Sequence, residues 1–333
     1  MGIKPLMIEV HGLTRYPAVK SGGSWPRQFL TTRMRRAMLC RGFTFGLIAT
    51  VFMAGPGRLS ATPPPPTVGT DVVTAGTPAR DWIVQAVANE LKALQKDGSY
   101  LRYRMHIINA KGDMVRDVVE SKDGTVARLI LRSGRALTPE EDSAERERLQ
   151  DMIDNPEAFM KHMKGDVEEK KLADNLIRLM PDAMLYSYVP GQPQIPSSSS
   201  ATQVVIDYKP NPKFNAPNLE AEALSGLKGR IWIDTQTHQV VRAEGDIFQS
   251  VNLGWGVVAH IYPGGKLLLE QTNAGGGRWI YSRFMEQINV RALMVKSVHV
   301  QQDVSASDFL VLPGPMPYQD AVKLLLSTPL PTH

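Results

Sequence analysis

The chain has 333 residues, 43% of them hydrophobic and 21% charged, and a formal net charge of +5. Residues 1–61 carry nine Lys or Arg against one acidic residue, so the remaining 29 basic and 32 acidic side chains leave the rest of the chain mildly acidic and without the electrostatic footprint of a nucleic-acid binder. The single cysteine, Cys40, lies in that basic segment, which excludes disulfides and thiolate chemistry from residue 62 onward.

Most of the basic cluster precedes an uncharged apolar run at 42–54, followed by Leu59-Ser60-Ala61. That order predicts a secretory signal peptide over 1–61, with Met34 or Met38 as the start if the leader has conventional length. Arg41 limits the apolar run to 13 residues, short of the ~20 that span a bilayer. Cleavage and release into the periplasm are therefore expected; a leader retained as an inner-membrane anchor is the alternative. Cys40 precedes the apolar run instead of following it, which argues against a lipid anchor. Residues 62–76, containing Pro63-Pro64-Pro65-Pro66, read as a flexible linker.

Thr77-Pro78 offers a cap and a first-turn proline. Trp82, Ile83, Ala86, Val87, Leu91 and Leu94 recur at helical spacing, predicting an amphipathic helix that stops at Asp97-Gly98. The period then becomes two. Segments 100–108, 113–121 and 125–133, separated by turn glycines, predict an antiparallel meander with Tyr103, Met105 and Ile107 on one face and Arg102, Arg104 and His106 on the other.

Residues 138–181 read as a helical insert in two pieces. Thr138-Pro139-Glu140-Glu141 opens the first, Asn155-Pro156 interrupts it, and a second helix is predicted over 167–179 with Leu172, Leu176 and Leu179 as its stripe. A packing cover is expected, with a movable lid as the alternative. Strand character returns at 183–189, the Pro- and Ser-rich segment 190–200 predicts a flexible loop, and 202–209 alternates again. After an excursion beginning at Pro210-Asn211-Pro212, a hairpin is predicted over 229–234 and 239–246, then strands at 251–262, 266–272, 278–289 and 292–301. The expected fold class is α+β, mainly β: an incomplete antiparallel β-barrel of roughly ten strands curled around helices, one domain over 77–312, and a C-terminal tail or short helix at 313–333.

The run Gly229-Arg230-Ile231-Trp232-Ile233-Asp234-Thr235-Gln236-Thr237-His238-Gln239-Val240-Val241-Arg242-Ala243 resembles the central hairpin of the bacterial LolA-like group. That group comprises periplasmic lipoprotein carriers, outer-membrane lipoprotein receptors and related lipid-sensing regulators. The N-terminal helix followed by a basic meander is similar too. The resemblance implies a half-barrel enclosing an apolar cavity for acyl chains. The inserts at 138–181 and 210–228 have no counterpart in the carriers, and no functional residue is carried over from them.

If such a cavity exists, its lining candidates are Tyr208, Trp232, Phe248, Trp255, Tyr262, Trp279, Tyr281, Phe284 and Met285; aromatics on alternating strands also serve as plain core. Histidines are scattered singly, with no metal-ligand spacing, and no nucleophile elbow occurs. Asp234 and Asp246 flank one hairpin and read as turn caps. No enzyme activity, metal or cofactor is therefore expected. The expected function is binding of a lipid or other apolar ligand in outer-membrane lipid or lipoprotein handling, with transient membrane contact. The alternative is a protein-interaction or sensory module whose partner is an envelope protein.

Overall fold

The computed structural model describes residues 76–93, 99–254, 258–292 and 295–331. The expected leader, nearly all of the expected linker, and Trp255 lie outside the described residues.

The chain runs α1 (Ala79–Ala93), β1 (Leu101–Asn109), β2 (Gly112–Ser121), β3 (Gly124–Arg132), β4 (Arg135–Ala136), α2 (Pro139–Asp154) and α3 (Pro156–Ala183). Next come β5 (Met184–Tyr188), β6 (Gln203–Pro210), the single turn α4 (Leu219–Glu222), a 3-10 turn (Ala223–Gly226), β7 (Leu227–Asp234) and β8 (Val240–Ile247). The described chain ends with β9 (Val251–Leu253), β10 (Ala259–Ile261), β11 (Lys266–Asn273), β12 (Trp279–Ala292), β13 (Lys296–Val311) and α5 (Tyr318–Ser327). The strands form one open antiparallel sheet in the order β4-β3-β2-β1-β13-β12-β11-β8-β7-β6-β5, with the β9–β10 hairpin attached to β12. The fold is α+β, mainly β.

Residues directly opposed in an antiparallel ladder share a face. Following the register from β6 to β2 gives Ile206, Ile231, Ala243, Leu269, Phe284, Val304, Ile107 and Met114, an unbroken apolar row across eight strands. At the β5–β8 end this inner face is covered by Trp82, Ile83 and Ala86 of α1 and Leu176 of α3, which join Val204, Ile206, Ile231 and Ile233 in one cluster. The opposite, outer face carries the charges: Arg230 pairs with Asp207 at 2.7 Å, Arg242 with Glu244 at 2.6 Å and Glu270 at 3.0 Å, and Arg283 with Asp303 at 2.8 Å. Half-exposed pairs of this kind contribute only about 0–1 kcal/mol each; their effect is to fix which face is wet.

At the other end of the sheet the helices sit on the opposite side. Val118 faces inward, so its neighbour Val119 and the paired Val126 face outward, and both pack against Leu149 of α2 and Ala321, Val322 and Leu325 of α5. Arg128, 1% exposed, projects into this layer. Its guanidinium donates to the carbonyls of Leu325 (2.6 Å) and Thr328 (2.8 Å) and to Asp142 (2.8 Å), tying the C-terminal end of α5 to β3 and α2. The C-terminal segment is thus a docked helix.

Local sequence accounts for most boundaries. Thr138 and Glu141 form a reciprocal capping box at α2, with Glu141 N–H donating to Thr138 Oγ1 at 3.2 Å and Thr138 N–H to Glu141 Oε2 at 2.9 Å. In the β7–β8 turn the Asp234 carboxylate accepts from the N–H groups of Gln236 (2.9 Å) and Thr237 (2.8 Å), the turn-capping role expected of it.

Five expectations change. The second insert helix begins at Pro156, eleven residues before the expected 167, because Phe159 in its first turn is buried and stacked on Tyr318 of α5 at 3.8 Å. The expected strand 251–262 is two short strands, β9 and β10, and the final strand runs to Val311 instead of 301. The count of described strands is thirteen, not ten. Segment 190–200 has no regular structure, yet it is anchored. Beyond the last β5–β6 pair, Gln192 Oε1 accepts from Val205 N–H (2.8 Å) and Gln194 Oε1 from Gln203 N–H (2.7 Å), so side-chain amides continue the ladder where β5 stops.

Gly229 and Gly245 are paired on β7 and β8 beneath Tyr208, whose hydroxyl donates to the Glu244 carbonyl at 2.9 Å. A Cβ on Gly229 would lie 1.8 Å from that carbonyl oxygen and 2.7 Å from the Tyr208 hydroxyl. Gly229→Ala should therefore lower unfolding stability by about 2–3 kcal/mol, read as a shifted urea midpoint; an unchanged midpoint would show that this contact does not constrain the sheet.

Candidate functional site

Two of the buried carboxyls, Glu90 and Glu286, have pKa values raised by burial. Glu90, in the last turns of α1, accepts from Gln271 Nε2 at 2.7 Å and from the Tyr281 hydroxyl at 2.8 Å. Burial raises its pKa above the ordinary carboxylate value, and those two hydrogen bonds only partly oppose this. Burial first, then the neighbouring Glu90, pushes Tyr281 well above its usual value. Glu286, fully buried on β12, shares the inner face with Phe284 and accepts one bond, from Gln302 Nε2 at 3.0 Å, while its Oε1 has no partner among the described residues. Burial, weakly opposed by Gln302, lifts its pKa to about 8.

A cleft opens at the end of the sheet where the chain leaves β6 and re-enters at β7. Asn211 secures its rim by donating its backbone N–H to the Ala183 carbonyl at 2.9 Å and its side chain to the Asp182 carbonyl at 2.9 Å. On the far wall, Phe248 N–H donates to the Gly226 carbonyl at 3.0 Å, and Gln249 Nε2 to the Ser225 carbonyl at 2.9 Å. The open cleft holds about 760 Å³ and is walled by Leu185, Pro210, Pro212, Phe214, Ala216, Phe248 and Val251, with Lys209, Lys228 and Glu222 as its charged members. That size and composition suit a small-molecule site. Phe248 and Leu185 remain 40% and 43% exposed, and the Lys228 ammonium lies 5.3 Å from the Phe248 ring centre.

The eight described candidate lining residues do not converge. Among them Phe248 alone lines this cleft. Tyr208 is buried over the paired glycines, Tyr281 is bonded to Glu90, and Phe284 belongs to the inner row. Met285, its neighbour on a regular stretch of strand, faces the other way. Trp232 and Trp279 are buried with Val205 and Val241, and the Trp232 indole donates to the Pro193 carbonyl at 2.9 Å. Tyr262 meets His260 edge-on at 4.5 Å. Lys209, Phe214 and Lys228 escaped notice in the sequence; the available signal was Phe214, the one aromatic residue of a Pro- and Asn-rich excursion. Among the described residues, no group of three His, Cys, Asp or Glu side chains is placed to hold a metal.

The buried carboxyls make stability depend on pH. An acid whose pKa is raised on folding binds its proton more tightly in the native state, so its contribution is full below the unfolded value of 4.5 and is lost as pH rises toward about 8 for Glu286. Each pH unit in that window removes up to about 1.4 kcal/mol. Glu286→Gln should unfold at higher urea than the parent at pH 8, with the difference shrinking toward pH 5. A variant indistinguishable from the parent at both pH values would mean that Glu286 is not held protonated by the fold. No protein-family model, curated protein or solved structure matches the chain.

Proposed function

We propose that this chain is an exported, non-enzymatic binding protein for a lipid or another apolar-tailed ligand, on a LolA-like half-barrel, acting in the periplasm in outer-membrane lipid or lipoprotein handling. The basic and apolar leader supports export, and the 229–243 hairpin within an open antiparallel sheet supports the resemblance. The observation that carries the binding reading is the cleft of about 760 Å³ with Phe214, Phe248 and Leu185 on its walls. Large apolar side chains left partly wet in a concave site gain by covering, at about 0.8 kcal/mol for each ligand CH₂ removed from water. The helix-covered part of the inner face is filled by side chains, which favours the strand-end cleft over that region as the ligand site. The competing protein-interaction reading needs a long free sheet edge; on the side away from β2, β3 has no described strand partner over 124–130 beyond its two-residue pairing with β4, but α2 engages that edge, Leu129 N–H donating to Glu145 and the Ala127 carbonyl accepting from Arg148.

Native mass spectrometry with lipid extraction, on protein purified from the periplasm of a Gram-negative host, should detect a stoichiometric acyl lipid. Phe248→Asp should reduce its occupancy about tenfold or more with an unchanged circular dichroism spectrum. A clean apo mass for the parent after gentle extraction would overturn the proposal.

A further inference from the structure

We infer that the cleft selects a phosphate-headed acyl lipid, its head held by Lys209 and Lys228 and its tail laid along Phe214, Phe248 and Leu185. This rests on the reading of the cleft as a lipid-binding site and adds the chemistry of the head group.

Elsewhere on the outer face, Arg230, Arg242 and Arg283 are each matched by a carboxylate. Lys209 and Lys228, on neighbouring strands one step beyond the Tyr208–Gly229 pair, are ion-paired with no described carboxylate. Asp246, directly opposite Lys228, is engaged by Lys266. Glu222 is the one carboxylate lining the cleft, and its Oε2 already accepts from Gly254 N–H at 3.2 Å. Two ammonium groups on adjacent strands, about 5 Å apart between backbones, therefore border an apolar cleft whose one lining carboxylate, Glu222, leaves it with net positive charge. A cationic head would be repelled there, and a neutral head would leave that charge unbalanced as the ligand displaces water. A phosphate offers several acceptor oxygens and up to two negative charges, enough for both lysines at once, and lysine binds phosphate as a compact point charge.

The test compares ligands with one tail and different heads. Calorimetric titration of the full chain would use dodecyl phosphate, dodecyl maltoside and dodecyltrimethylammonium below their micelle concentrations, and inorganic phosphate alone. The expected result is fivefold or greater preference for dodecyl phosphate over the maltoside. Lys209→Gln/Lys228→Gln should abolish that preference by weakening dodecyl phosphate binding at least fivefold, with an unchanged circular dichroism spectrum. Equal binding of all three heads, or a preference that survives the double substitution, overturns the head-group assignment and leaves the lipid-binding reading standing. Inorganic phosphate binding as tightly as dodecyl phosphate makes this a free-anion site and overturns it as well. Failure of every dodecyl ligand to bind removes both this inference and the reading on which it rests.

Discussion

Register is the constraint on which the rest of this structure depends. Eight strands place an apolar side chain at the same level of one face, from Ile206 on β6 to Met114 on β2, while the adjacent levels of the other face carry Asp207, Arg230, Glu244 and Asp303. Because side chains alternate along a strand, a one-residue slip that brought Asp207, Arg230, Glu244 or Asp303 to the level of the apolar row would turn a charge inward and an apolar group outward. Such a slip costs several kcal/mol in desolvation alone, more than any surface ion pair returns. The pairing of sequentially distant strands, β1 with β13 and β8 with β11, follows from the same demand.

That demand also explains where the polar groups sit. Inside, the carboxyls of Glu90 and Glu286 are tolerated because burial favours their neutral forms and because Tyr281, Gln271 and Gln302 supply donors. Toward β5 the chain must stop the ladder, and it does so with the amides of Gln192 and Gln194 in place of another strand. Past Pro210 the chain leaves the sheet for the excursion that closes at Gly226. The cleft is the space this departure leaves, and for that reason it combines apolar walls with the outward-facing lysines of β6 and β7.

Elements defined by local chemistry were legible in the sequence. Helical spacing from Trp82 to Ala86, alternation with turn glycines over β1–β3, the Thr138–Glu141 box and the Asp234 turn all lie where local rules place them. What escaped depends on distant partners. Nothing near Pro156 announces that Phe159 will stack on Tyr318, 159 residues further on, and that contact extends α3 through a polar stretch. The anchoring of 190–200 has no periodicity to detect, since it runs through glutamine side chains. Aromatic content pointed to Trp232 and Trp279, which are core, and the adjacent choice of Phe284 and Met285 ignored strand alternation. The lysines of the cleft become a pair only through the β6–β7 register.

Amide hydrogen exchange on the lipid-loaded and delipidated full chain locates the ligand. Lipid should slow exchange in residues 210–216 and 248–252, the walls of the strand-end cleft, and leave α1 and α3 unchanged. Protection concentrated in α1, α3 and the inner strands, with the cleft walls unaffected, would contradict that location by placing the ligand between the sheet and its helices.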